Sequence, residues 1–235
     1  MTTKRPKISP KNSVTRTQAR SKCSPMWYIR DIREKRNKQV IYRDKIQQRI
    51  EEIGGHPSWG LAHCQRVYEL AMRLGGSRVD EEVIYTAAMT HDFGAYPEYR
   101  AAGVDHAVRS TQVVRPFLEE IGFPANKIGD VIQTIAGHMF YDHPNPELCE
   151  AVVFHDADVL DFLGVIGITR ILAIVGIDDW TPTLPDAVKL IEQFSDTLGD
   201  KVITEQARAI ARSRTQEMKE FLAALRDETL DFQYI

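Results

Sequence analysis

Apolar and polar positions recur along this chain with a helical period, and no segment alternates convincingly enough to read as a strand. Over residues 27–53 the chain is highly charged, yet Tyr42, Ile46, Ile50 and Ile53 form one stripe, and Gly54-Gly55 stops it. A second helix is expected from Ser58, a candidate N-cap, with His63, Val67, Leu70, Ala71 and Leu74 on its apolar face. Asp80 caps a third, Glu81 and Glu82 suit its positive end, Ile84, Ala87, Ala88 and His91 share a face, and Gly94 is expected to end it. Asp105 opens a fourth, in which His106, Ser110, Val113, Val114 and Phe117 align and Pro116 is expected to introduce a kink. From Asn126 a fifth brings Ile128, Val131, Ile135 and His138 together, and a sixth aligns Cys149, Val152, Val153, Asp156, Leu160 and Leu163. A buried helix is expected over 164–176 and a short one over 186–198. Thr204 caps a last amphipathic helix using Ala207, Ile210, Ala211, Met218, Leu222 and Leu225. The predicted fold is all-α, a compact multi-helix bundle over residues 27–235.

Composition changes this picture at one end. The net charge of −3 conceals a basic stretch, residues 1–26, with seven Lys/Arg and no acid, which leaves 23 basic against 33 acidic residues in the remainder. The stretch is nearly free of apolar residues and is expected to be a disordered tail. An electrostatic arm or a transit-like leader are the other roles such a composition suits. The acidic body argues against nucleic-acid duplexes as the main ligand. Three scattered cysteines (Cys23, Cys64, Cys149) imply a reducing compartment, and with no apolar signal core or membrane-spanning run the expected location is the cytoplasm. The sequence leaves a homodimer open.

Candidate chemistry lies on the apolar faces. Five successive helices each turn a metal-competent side chain inward: His63, His91 followed by Asp92, His106, His138 and Asp156. A buried imidazole costs a few kcal/mol unless neutral and hydrogen-bonded. Four of the seven histidines buried independently would be uneconomical, whereas a shared divalent ion uses deprotonated imidazole and carboxylate together. Mixed nitrogen and oxygen donors without clustered cysteine point to Mn, Fe, Co, Ni, Zn or Mg rather than a thiolate zinc site.

The order His, His-Asp, His, His, Asp resembles the HD-domain metal-dependent phosphohydrolases, all-helical proteins named for this doublet. The run from His155 to Arg170 is also similar to that of compact stand-alone bacterial members, and the resemblance covers about residues 56–226. It implies one ion held by His63, His91, Asp92 and Asp156. In members with two ions it further implies His106 and His138, with Asp92 bridging. Ala95 stands where the cyclic-di-nucleotide phosphodiesterase branch carries a Lys, and that branch's Gly-Tyr-Pro signature is missing after His138.

The expected activity is hydrolysis of a phosphate ester on a small phosphorylated molecule, with Asp92 orienting the attacking water. Arg100, Arg109 and Arg170 are candidate phosphate partners, and Tyr96 and Tyr99 candidate pocket walls. The same ligands would also suit a di-iron oxygenase, and a non-catalytic metal- or ligand-binding module is the third alternative.

Overall fold

A computed structural model describes residues 41–235; the expected tail and the beginning of the first helix lie outside them. Helical residues 41–53 are labelled α1. They are followed by α2 (Leu61–Gly75), α3 (Glu81–Thr90), α4 (His106–Glu120), α5 (Ala125–Ala136), α6 (Cys149–Asp161), α7 (Gly164–Leu172), α8 (Leu184–Thr197) and α9 (Glu205–Glu228). No strand occurs among the described residues, so the all-α expectation holds. No helix among them is long and apolar enough to cross a membrane.

The stripe read on α1 is real: Tyr42, Ile46 and Ile50 are buried, and Ile53 packs against the same core. Helix α6 occupies the centre. From Val153 to Asp161 every residue is buried, and α6 packs against α2, α3, α5, α7 and α9. Helix α4 leans on α5 and on a short 3-10 turn, Phe93–Ala95.

Several boundaries differ from the sequence reading. Helix α2 starts at Leu61 after Gly60, and Ser58 sits upstream, its amide donating to His56 Nδ1 and its carbonyl accepting from Arg170. Helix α3 closes at Thr90, with His91 as its C-cap, so Gly94 falls in the following turn. Helix α7 stops at Leu172, well short of Gly176. The predicted caps Asp80, Asp105 and Thr204 each accept backbone N–H groups of their helices.

Asp80 also receives Lys127 Nζ at 2.8 Å, which ties α3 to α5. Partial burial alone would raise its pKa, but Lys127 and the two capped amides outweigh that and hold the carboxyl below its ordinary value. We expect Asp80→Ala to lower stability by about 1 kcal/mol at pH 7. Because the folded-state pKa is depressed, the carboxylate's contribution is full above its unfolded value near 4 and vanishes as pH falls through the folded value. Urea unfolding of parent and variant should therefore show a gap at pH 7 that closes toward pH 3.

Candidate metal centre

The end of α3 sets the geometry. Consecutive residues on a helix point about 100° apart, so His91 and Asp92 could not converge if the helix continued. It does not: His91 keeps a helical backbone, while Asp92 takes φ −96° and ψ 8° and starts the 3-10 turn. Gly94 then lets that turn lie flat on α4. A Cβ there would meet His106 O at 2.2 Å and Ser110 N at 2.6 Å, and the Gly94 amide donates to Ser110 Oγ at 2.8 Å. The contact brings His106, the first residue of α4, beside the doublet. His63 enters from the first turn of α2, and His138 from just beyond α5, whose C-cap is Gly137.

The reactive atoms converge on two sides of Asp92. Its Oδ2 lies 3.2 Å from His91 Nε2 and 3.6 Å from His63 Nε2. Its Oδ1 lies 3.7 Å from His106 Nε2 and 3.8 Å from His138 Nε2. The fourth partner of the first group is Asp158, with Oδ1 3.3 Å from His63 Nε2 and 3.9 Å from His91 Nε2. Donors about 2.1 Å from one ion stand roughly 3.0–3.5 Å from each other, so these separations suit shared coordination.

The hydrogen-bond pattern gives the same answer. His63 Nδ1 donates to Asp161 Oδ2 at 2.8 Å, His91 Nδ1 to Ala88 O at 2.9 Å, and His138 Nδ1 to Ile135 O at 2.6 Å. Each Nε2 is then left with a lone pair in the neutral ring. Two of them, on His63 and His91, face each other at 3.1 Å, which requires a proton or a cation between them. His138 Nε2 and Asp158 Oδ1 are buried without a hydrogen-bond partner among the described residues. Burial, then Arg170, lowers the pKa of His63; burial, then the charge of His91, lowers His138 to about 4. Burial also opposes charge on His91, but the adjacent Asp92 overcomes it and holds His91 up to about 9. A divalent cation among these rings would satisfy the lone pairs that a proton leaves unpaired. The cluster fits a metal ion.

One predicted ligand is elsewhere. Asp156 turns away from the imidazoles; its carboxylate accepts Ile203 N at 2.6 Å, Thr204 N at 2.8 Å and Thr204 Oγ1 at 2.6 Å. Two residues on, and so on roughly the opposite side of α6, Asp158 occupies the inward place. Asp161, one turn further, accepts from His63 and is neutralised by Arg66, through Nε at 2.8 Å, and by Arg170 Nη1 at 3.0 Å. Burial alone would raise its pKa, yet these partners hold it far below the carboxylate range.

The cluster forms the floor of a cavity of about 370 Å³. Of the five predicted substrate contacts, Arg100 and Arg170 line it. Arg100 donates only to Ala95 O among the described residues, whereas Arg170 is buried and engaged with Asp161 and Ser58 O. Arg109 is spent on Tyr99 O and Gln112 Oε1. Tyr96 is buried with its hydroxyl on Trp59 O, and Tyr99 stacks on Phe93 with ring centroids 5.8 Å apart; neither lines the cavity. The aromatic walls are Trp59, Phe162 and Trp180, which sequence periodicity could not single out because two of them stand in loops.

An all-helical bundle whose buried doublet gathers imidazoles and carboxylates from successive helices defines a class of protein. Residues 60–163 match the HD domain family, and the His91-Asp92 doublet lies inside the matched segment. No curated protein matches the chain. Bacillus subtilis YpgQ is a structural neighbour at TM-score 0.60 and 24% identity, covering 81% of this chain and 97% of that one. A further YpgQ structure, at TM-score 0.57, is in complex with ADP. A predicted HD superfamily hydrolase from an uncultured Thermotogales bacterium aligns at TM-score 0.53 and 23% identity over 82% of this chain and 91% of its own. At such identities the likeness establishes a shared fold.

Because three donors converge on Asp156, Asp156→Asn is expected to cost about 1–3 kcal/mol in urea unfolding.

Proposed function

We propose that this chain is a metal-dependent phosphohydrolase, acting on a phosphate ester of a small molecule. The observation that carries the reading is Asp92, whose two oxygens face two separate pairs of imidazoles. His63, His91, Asp92 and Asp158 would hold one divalent ion, and Asp92, His106 and His138 a second. When bound, such ions supply Lewis acidity toward a phosphoryl oxygen and make water nucleophilic near neutral pH. Asp92, spanning both groups at the cavity floor, orients the attacking water. Asp161 fixes His63 in the tautomer that exposes Nε2 to the cluster. Arg100, with no carboxylate partner among the described residues, is placed to pair with the phosphate. Arg170 acts from behind, holding Asp161 and the 58–60 turn in place. The ADP complex of YpgQ supports a phosphorylated ligand for this fold. No feature of the site favours the oxygenase or the non-catalytic alternative.

The test is a screen of phosphorylated metabolites with the metal-reconstituted full chain, alongside its bound-metal content. His91→Ala and Asp158→Asn should each lower turnover at least about 100-fold and reduce bound metal. Asp156→Asn should keep its metal. Undiminished activity and metal in His91→Ala would overturn the assignment, as would substrate-dependent oxygen uptake by an iron-loaded protein.

A further inference from the structure

The 173–183 loop gives the cavity one wall of distinct chemistry. Three consecutive residues, Asp178, Asp179 and Trp180, line it, and Trp59 joins them from the turn before α2. Neither carboxylate has a lysine or arginine partner among the described residues; Asp178 accepts the Trp180 amide at 3.0 Å. His56 stacks on Trp59 with centroids 3.3 Å apart and planes within 15°, so one indole face is braced. Burial lowers the pKa of His56, so that ring adds no positive charge near pH 7. Trp180 leaves 42% of its surface exposed, an unusual state for so large an apolar ring. Outside the cluster and the indoles, no uncharged hydrogen-bonding side chain lines the cavity among the described residues. Its cationic lining is Arg100 and Arg170, and Arg170 is tied through Asp161 to His63.

We propose that this wall receives a quaternary ammonium, so that the preferred ligand is a phosphate ester ending in a trimethylammonium-type cation. The phosphate lies toward the cluster and Arg100, and the cation lies against Trp59, Trp180, Asp178 and Asp179. This rests on the phosphohydrolase reading for the phosphate end only. Unpaired carboxylates repel phosphate and attract the opposite charge, which fixes the direction in which such a zwitterion enters. The faces of tryptophan rings hold a quaternary ammonium through its charge. The ring geometry suits a rounded group rather than a flat one. Trp59 and Trp180 have centroids 6.3 Å apart and planes tilted by 51°, which makes a corner. A flat ring inserted between them would need parallel planes about 7–8 Å apart, twice an ordinary contact. Phe162 is already engaged by Arg170, whose guanidinium lies 3.8 Å from its ring centroid and is offset by Asp161. Hydrolysis would bond a water oxygen to phosphorus and break the ester P–O bond. One of the water's protons would pass to the oxygen of the departing ammonium alcohol.

Equilibrium binding to the manganese-loaded full chain tests this without turnover. The probes are trimethylammoniopropylphosphonate, which has no cleavable ester, and its uncharged isostere with carbon in place of nitrogen. The methylenephosphonate analogue of AMP serves as the rival. The cationic probe should bind about tenfold more tightly than its isostere. Trp180→Ala, and Asp178→Asn combined with Asp179→Asn, should each bring that ratio toward one, while Trp180→Phe should keep most of it. A parent ratio near one, a ratio that survives both changes, tighter binding of the nucleotide analogue, or no binding of the cationic probe would overturn the proposal. Should the double asparagine variant fail to fold, the exposed Trp180 decides alone. A failed phosphohydrolase reading would appear instead in the metabolite screen, with the binding ratio intact.

Discussion

The centre of this molecule is governed by the cost of taking imidazoles and carboxylates out of water. His63, His91, His138 and Asp158 are almost wholly buried, and an isolated charge in such surroundings is prohibitively expensive. The fold answers by satisfying the outer side of each ring with a backbone carbonyl or with Asp161, which directs every remaining lone pair to one place. Repulsion that would unfold an ordinary core becomes attraction once a cation sits among the lone pairs. The helices around it are arranged to make that concentration of donors tolerable.

Two kinds of helix make the convergence feasible. The break after His91 lets neighbouring residues aim at one point, which a continued helix forbids. Helix α6 does the opposite, running intact through the middle with carboxylates on several faces. These carboxylates divide the work among them. Asp156 anchors the start of α9, Asp158 faces the imidazoles, and Asp161 gathers two arginines.

The same contrast explains what could be read from the sequence. Amphipathic helices at the surface of the core announce themselves by period, so α2, α3 and α9 and the inward turn of His63 and His91 were legible. Because α6 is buried on all sides, the stripe read through Asp156 does not single out the face that meets the imidazoles. That stripe and the resemblance both chose Asp156, whereas Asp158 is the carboxylate that faces the rings and Asp156 accepts from the start of α9. Loop residues are a second blind spot. Tyr96 and Tyr99 have the chemistry of pocket walls but serve the core, while Trp59 and Trp180 line the cavity from segments without any period. Only three-dimensional closure distinguishes the two pairs.

The seam at Gly94 has a consequence for how such a protein can diverge. With no room for even a methyl group between the doublet's turn and α4, the distance from Asp92 to His106 is locked by backbone against backbone. The spacing between the doublet and the start of α4 can therefore change only if both backbones move together. The cavity wall at Trp59 and Trp180 has no such lock, since both residues stand in loops. Duplicated copies of this gene could therefore exchange one ligand for another through a handful of loop changes while inheriting the same cluster of imidazoles and carboxylates.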